Sequence, residues 1–341
     1  MNLAPVTQDG AGRLIAAYGM PGALSNWGFA AVHAMADRSF GSHVAVAADT
    51  LDELLAAMAA APSGPVVITS QYPQAALAEF VHERADRIVV FVESTHDSVA
   101  HLEQASGATD LAIVRAVSAS CACLASLPYR PAAVLIHRCD VGHLPVGELE
   151  HRLAEALRLV PAEPPGLALS EHGTMTLSRF LAAETHSRCD GLGADFAEEV
   201  LAPYDIAFLG ETEAAFAWPQ ASFLVADQPG RLLQGPVDLT GPARCIVYGP
   251  YLHLPAGAWT ACVRLGFDAH VYEQSFCLEL HGAGLLARIR VNAPSRPGLF
   301  STKFDFSVAE PHIPLEMRVL TEYGAIEGLI DRLDTSFVPA G

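Results

Sequence analysis

Leu14-Ile-Ala-Ala-Tyr18 runs straight into Gly19-Met-Pro-Gly-Ala-Leu-Ser-Asn-Trp27. An apolar run that closes on glycine, a loop punctuated by Gly and Pro, and then a helical pattern make a strand–loop–helix unit. Its helix is expected from about Asn26 to Met35. The same alternation continues outward. Val44 to Ala47, Pro65 to Ser70, Arg87 to Val92 and Ala132 to His137 read as strands. Leu51–Ala60, Gln74–Glu83, Asp97–Gln104, Asp110–Leu127 and Val146–Leu159 read as helices, with Asp49 or Thr50 capping the first. Strands that alternate with helices imply an α/β domain over 1–160, a parallel sheet flanked by helices.

Residues 161–220 read as a helical extension or linker. Pro161-Ala-Glu-Pro-Pro165 breaks any helix, and helical patterns restart at Leu177–Thr185 and Ala194–Leu201. Beyond about 221 the period changes to two. Cys245-Ile-Val-Tyr248, Trp259 to Leu265, Ser275 to Leu280, Leu286 to Val291, Phe300 to Val308 and Leu315 to Leu320 alternate apolar with polar residues between Gly and Pro. Short strands of this kind predict an antiparallel, jelly-roll-like β-sandwich over 221–341.

Composition bounds function. Of 341 residues 51% are hydrophobic, enough for two cores, and 38 acidic against 20 basic residues leave a net charge of −18. That balance argues against nucleic acid and anionic lipid as partners, since both require clustered cations. Lys303 is the only lysine, so no catalytic lysine lies in the N-terminal half. Seven cysteines without framework spacing fit reduced thiols. With no signal-like start and an apolar helix, Leu111–Leu127, broken by Arg115 and three serines, a cytoplasmic protein without a membrane span is expected.

Two loops, taken together, carry a family resemblance. Gly19 to Trp27 and Glu93-Ser-Thr-His-Asp-Ser-Val-Ala-His101 resemble the sulfotransferase family over roughly residues 12–160. In that family the first loop wraps the 5′-phosphosulfate of the donor PAPS, and the second holds its 3′-phosphate. Pro21 and Trp27 match the pattern. Gly22 stands where the family has its catalytic Lys or Arg, Leu24 replaces a loop glycine, Glu93 replaces an Arg and His101 a Ser. Val67-Ile-Thr-Ser-Gln-Tyr-Pro73 and Val134-Leu-Ile-His-Arg-Cys-Asp-Val141 resemble two later family strands, with Ser70 at a usual His. The resemblance implies a scaffold whose transfer chemistry has gone: with Gly22 no cation faces the leaving oxygen, and Glu93 repels a phosphate.

What remains at these loops is weighed residue by residue. Gly19, Ser25 and Asn26 could bind an anion through backbone N–H groups and side-chain donors, or merely cap and pack the helix. Glu93, His96, Asp97 and His101 form an acid–base or metal-like group, or an ordinary helix start capped by Ser94 or Thr95; the cap is favoured. His137-Arg-Cys139 with His143, and Cys121-Ala-Cys123, have metal-like spacing without completing a site, and no metal is expected. In the sandwich Tyr248, Tyr251, His253 and Trp259 could stack on sugar rings, Trp259 and some of the tyrosines being core candidates as well.

The expectation is therefore a non-catalytic, degenerate sulfotransferase-like protein that binds or scaffolds, without a cofactor, with a glycan or protein as partner. By fold analogy it acts in bacterial polysaccharide synthesis or modification. One alternative is an active, PAPS-using carbohydrate sulfotransferase with cations supplied by Arg13, Arg115, Arg130 or Arg138. Another is a self-associating structural protein, a homo-oligomer joined at sandwich edges.

Overall fold

The computed structural model describes residues 13–60, 64–128, 133–161, 175–182, 194–208, 214–268, 271, 274–292 and 296–340. The chain divides into two compact units, residues 1–108 with 126–190, and residues 109–125 with 191–341. The helix Asp110–Ala125 thus groups with the C-terminal unit, whereas its periodicity alone assigns it to the N-terminal one.

In the first unit five strands, β1 Leu14–Gly19, β2 Val44–Ala47, β3 Val66–Ser70, β4 Arg87–Val92 and β5 Ala133–His137, form one parallel sheet ordered β2-β3-β1-β4-β5. All residues of β1 and β3, and all of β4 but its first, are buried. Helices on both faces account for that continuous apolar pattern. They are α1 Ala23–Phe40, α2 Leu51–Ala60, α3 Ala75–Arg84, α4 Thr95–Ser106, the short α6 Arg138–Val141 and α7 Val146–Leu157, whereas α5 Asp110–Ala125 belongs to the second unit. Ile15, Ala17, Val89 and Phe91, two apart on β1 and β4, share one face and pack with Leu24, Val32 and Met35 of α1 and Leu149 and Leu153 of α7. A further helix, α8, spans Leu177–Ala182.

The second unit carries α5, α9 Ala194–Phe208 and two antiparallel sheets. Its strands are β6 Phe216–Trp218, β7 Leu224–Val225, β8 Val237–Asp238, β9 Cys245–Leu252, β10 Gly257–Phe267, β11 Ser275–His281, β12 Leu285–Asn292, β13 Gly298–Val308, β14 Leu315–Thr321 and β15 Leu329–Pro339. One sheet runs β13-β10-β15-β6, with β8 on β15; the other runs β12-β11-β14-β9-β7. Their inner faces meet to make a sandwich core, where Phe267 of the first and Phe276 of the second lie 5.2 Å apart. β15 is not among the strands named from period two. A bulge opposite Gly266 and Phe267 sets its inward Ile330 and Leu333 three apart, which breaks the alternation.

Among the described residues no helix is long and apolar enough to cross a membrane.

Candidate functional site

β1 and β4 are neighbours, but the chain leaves them in opposite directions, toward β2 past β3 and toward β5. Their carboxyl ends therefore open the crevice in which doubly wound sheets bind ligands. Gly19 to Gly22 and Glu93 meet there.

The loop after β1 is shorter than its sequence suggests. Only Met20, Pro21 and Gly22 separate β1 from α1, which starts at Ala23 rather than Asn26. Ala23 and Leu24 are buried good helix formers, and extended Gly22 (φ 168°) serves as the N-cap residue. Ser25 thereby enters the helix, fully buried, and its hydroxyl has no hydrogen-bond partner among the described residues. A Cβ on Gly19 would overlap Ser25 Oγ, so Gly19 serves close approach. Asn26 is exposed, and its Nδ2 lies 3.4 Å from His101 Nε2, a contact that joins the two quoted loops.

Glu93 is buried, and both of its carboxylate oxygens are paired. Its Oε1 accepts the Leu24 N–H at 2.6 Å, at the positive end of α1, and its Oε2 accepts from Arg138 Nη1 at 2.8 Å. A Cβ on Gly22 would fall 2.6 Å from Glu93 Cγ, so glycine at this position makes room for the carboxylate side chain. Burial pushes the Glu93 carboxyl up, opposed by the Arg138 guanidinium and the Leu24 N–H. Arg138 also lies 3.3 Å from Asp97 Oδ2, so one cation faces two carboxylates. Asp97 itself is ordered by Ser94, which caps α4 by accepting the Asp97 N–H at 3.1 Å. His96 is exposed and His101 half-buried.

Of the three described arginines among the four expected to rescue the chemistry, Arg138 joins this group. Arg13 precedes β1, at the opposite edge of the sheet, near Asp86 (4.0 Å) and over the Phe40 ring. Arg115 belongs to the second unit, where its Nε donates to Pro250 O at 2.7 Å. Arg130 lies outside the described residues.

In the sandwich, two of the four aromatic candidates are core. Trp259 is buried edge-on to Phe216 and donates its indole N–H to Pro255 O at 3.0 Å. His253 is buried, its Nδ1 2.9 Å from Pro311 O, and its backbone carbonyl accepts from Tyr204 OH. Tyr248 and Tyr251 are half-buried, edge-to-face at 6.1 Å on β9. Tyr251 donates to Glu316 Oε1 at 2.8 Å, and the Arg115 guanidinium sits 5.1 Å from its ring centroid.

Sequence reasoning missed the polar row beside them. Cross-strand register aligns Arg288, Glu279, Arg318 and Tyr248 over β12, β11, β14 and β9. Glu279 accepts from Arg288 Nε at 2.8 Å and lies 2.9 Å from His281 Nε2; Arg318 donates to Glu316 at 2.6 Å. These bonds hold the Glu279 carboxyl below its ordinary value, His281 contributing most. Part of the signal was present in the sequence: Glu316-x-Arg318 marks the outward residues of β14, whose alternate positions are buried.

No protein-family model and no curated protein matches the chain. Solved structures to which it is similar include the C-terminal CBM6 of LamC, a marine laminarinase from Zobellia galactanivorans, at 10% identity over 36% of this chain and 98% of that one, with a TM-score of 0.22. TmCBM61 in complex with β-1,4-galactotriose gives 12%, 38%, 91% and 0.24. A family 16 carbohydrate binding module gives 10%, 37%, 86% and 0.22.

Proposed function

We propose that this chain is a non-catalytic, sulfotransferase-like binding protein that takes a glycan on the face of the β12-β11-β14-β9-β7 sheet that carries Tyr248, Tyr251 and Arg318. The observation that carries the non-catalytic reading is Glu93 in the crevice. A transferase needs a cation aimed at the charge developing on the leaving oxygen. Among the described residues Arg138 is the cation at the crevice, and Glu93 and Asp97 already pair with it. A phosphosulfate entering the crevice would have to displace a buried, paired carboxylate.

The glycan reading rests on the row beside Tyr248 and Tyr251. Two tyrosine rings offer apolar faces for a pyranose, and fixed Arg–Glu pairs offer donors and acceptors at the spacing of neighbouring strands. These pairs are preorganised by their mutual bonds, which lowers the entropy lost on binding.

Calorimetry with PAP at low salt tests the first half: no heat is expected from the wild-type chain, and binding tighter than about 100 μM, about 5.5 kcal/mol, would restore the enzyme. A glycan array tests the second. Retained saccharides should be lost by Tyr248→Ala and Arg318→Ala; an array blank for the wild type, or retention indifferent to both changes, would reject the site.

A further inference from the structure

Arg115 of α5 lies beside the Tyr248–Tyr251 pair, and among the described residues no carboxylate pairs with it. Its Nε donates to Pro250 O at 2.7 Å, and its guanidinium sits 5.1 Å from the centroid of the Tyr251 ring. Its Nη2 is closed to solvent and has no hydrogen-bond partner among the described residues. Burial lowers the pKa of Arg115, yet a guanidinium keeps its charge and its five N–H donors at neutral pH. Buried donors are almost always met, and a charged donor is costlier to leave open than a neutral one. Arg115 as a whole is half-buried, so the group borders the surface next to Tyr251.

The three arginines of the neighbouring strands are balanced. Arg288 Nε donates to Glu279 Oε1 at 2.8 Å, Arg290 Nε lies 2.7 Å from Glu322 Oε2, and Arg318 Nη2 lies 2.6 Å from Glu316 Oε2. Each arginine has its own glutamate, so these pairs add no net charge to the face. Glu316 also accepts the Tyr251 O–H at 2.8 Å, which holds the ring against Arg115. The surplus positive charge therefore falls at the tyrosine end, from Arg115.

Two rings suited to stacking on a sugar, next to a guanidinium without a counter-charge, select for more than a neutral ring. We propose that the saccharide taken by this face carries one acid group, a carboxylate or a sulfate ester, which Arg115 receives while the sugar ring lies on Tyr248 and Tyr251. This inference rests on the glycan reading above and narrows it. An oxyanion at the guanidinium supplies the missing counter-charge through charge-assisted hydrogen bonds, which are the stronger kind. The net charge of −18 opposes a polyanion at long range, so a single acid group suits the site better than a charged polymer.

Ligand-observed NMR of the full chain tests it with glucose, glucuronic acid and glucose 6-sulfate, and with the matching galactose set. Within each set the ring is shared and the charge differs at one carbon. An acidic sugar should bind about tenfold tighter than its neutral parent, and the stronger of the two acids identifies the group. Added salt should narrow that margin. Arg115→Lys should keep the preference for acid, Arg115→Gln should lose it, and Tyr248→Ala should weaken acidic and neutral sugars alike. Neutral sugars that bind the wild type as tightly as acidic ones, and lose binding with Tyr248→Ala, would overturn this inference and leave the glycan reading standing. A preference for acid that survives Arg115→Gln, or no binding of any acidic sugar, would overturn it as well, and the glycan array decides the broader reading separately.

Discussion

Glu93 and Leu24 are 69 residues apart in the chain and share a 2.6 Å hydrogen bond, carboxylate to backbone N–H, at the first turn of α1. That bond satisfies the helix start from within the protein. The Glu93 side chain is accommodated at two sites, by the missing side chain at Gly22 and by Arg138 from the end of β5.

Glu93→Ala should cost about 3 kcal/mol in urea unfolding, because it leaves Arg138 less fully paired and the first turn of α1 open. The same variant should regain sensitivity to anions: millimolar phosphate should raise its melting temperature but not that of the wild type. Equal responses in both would mean that the crevice has no residual anion affinity.

Gly28→Ala opposes two effects of known size. In a helix interior alanine is favoured over glycine by about 1 kcal/mol. Here the new Cβ would overlap the Phe91 ring, which is fully buried, and overpacking of a closed core costs about 1–3 kcal/mol. Net destabilisation of the first unit is expected, and a stabilised variant in thermal unfolding would show that Phe91 can move.

His253 makes the second unit acid-sensitive. Burial lowers its pKa from 6.5 to about 4, against the Pro311 carbonyl. The unfolded chain takes up its proton as pH falls through 6.5, while the folded chain resists until about 4. Stability is therefore complete above 6.5 and declines by about 3 kcal/mol toward pH 4. Denaturant titrations from pH 7 to 4 should show that limb, and His253→Gln should flatten it.

Arg318→Ala should leave folding nearly intact, since its side chain is 40% exposed and surface pairs contribute at most about 1 kcal/mol. Glycan retention should nevertheless fall. A variant that loses stability and binding in parallel would assign Arg318 a packing role only.

The longer strands and helices, β15 apart, were legible because each period is local: apolar runs for β1, β3 and β4, and alternation for β10 and β14. The start of α1 was misplaced by three residues because Gly22, Ala23 and Leu24 look like loop until Glu93 accepts the Leu24 N–H. β15 went unnamed because a bulge broke its alternation. Tyr248, Tyr251, His253 and Trp259 were indistinguishable as aromatic residues of one stretch, and only packing separates two half-buried tyrosines from a buried His and Trp.

The sequence by itself determined the two kinds of secondary-structure pattern, the acidic balance and the absence of a cation at Gly22, all properties of composition and short-range spacing. The tertiary structure decided what faces Gly22. Glu93, Leu24 and Arg138 come from three separate segments, and whether a carboxylate is left unpaired or held by an N–H and a guanidinium depends on ångström distances that no spacing in the chain encodes.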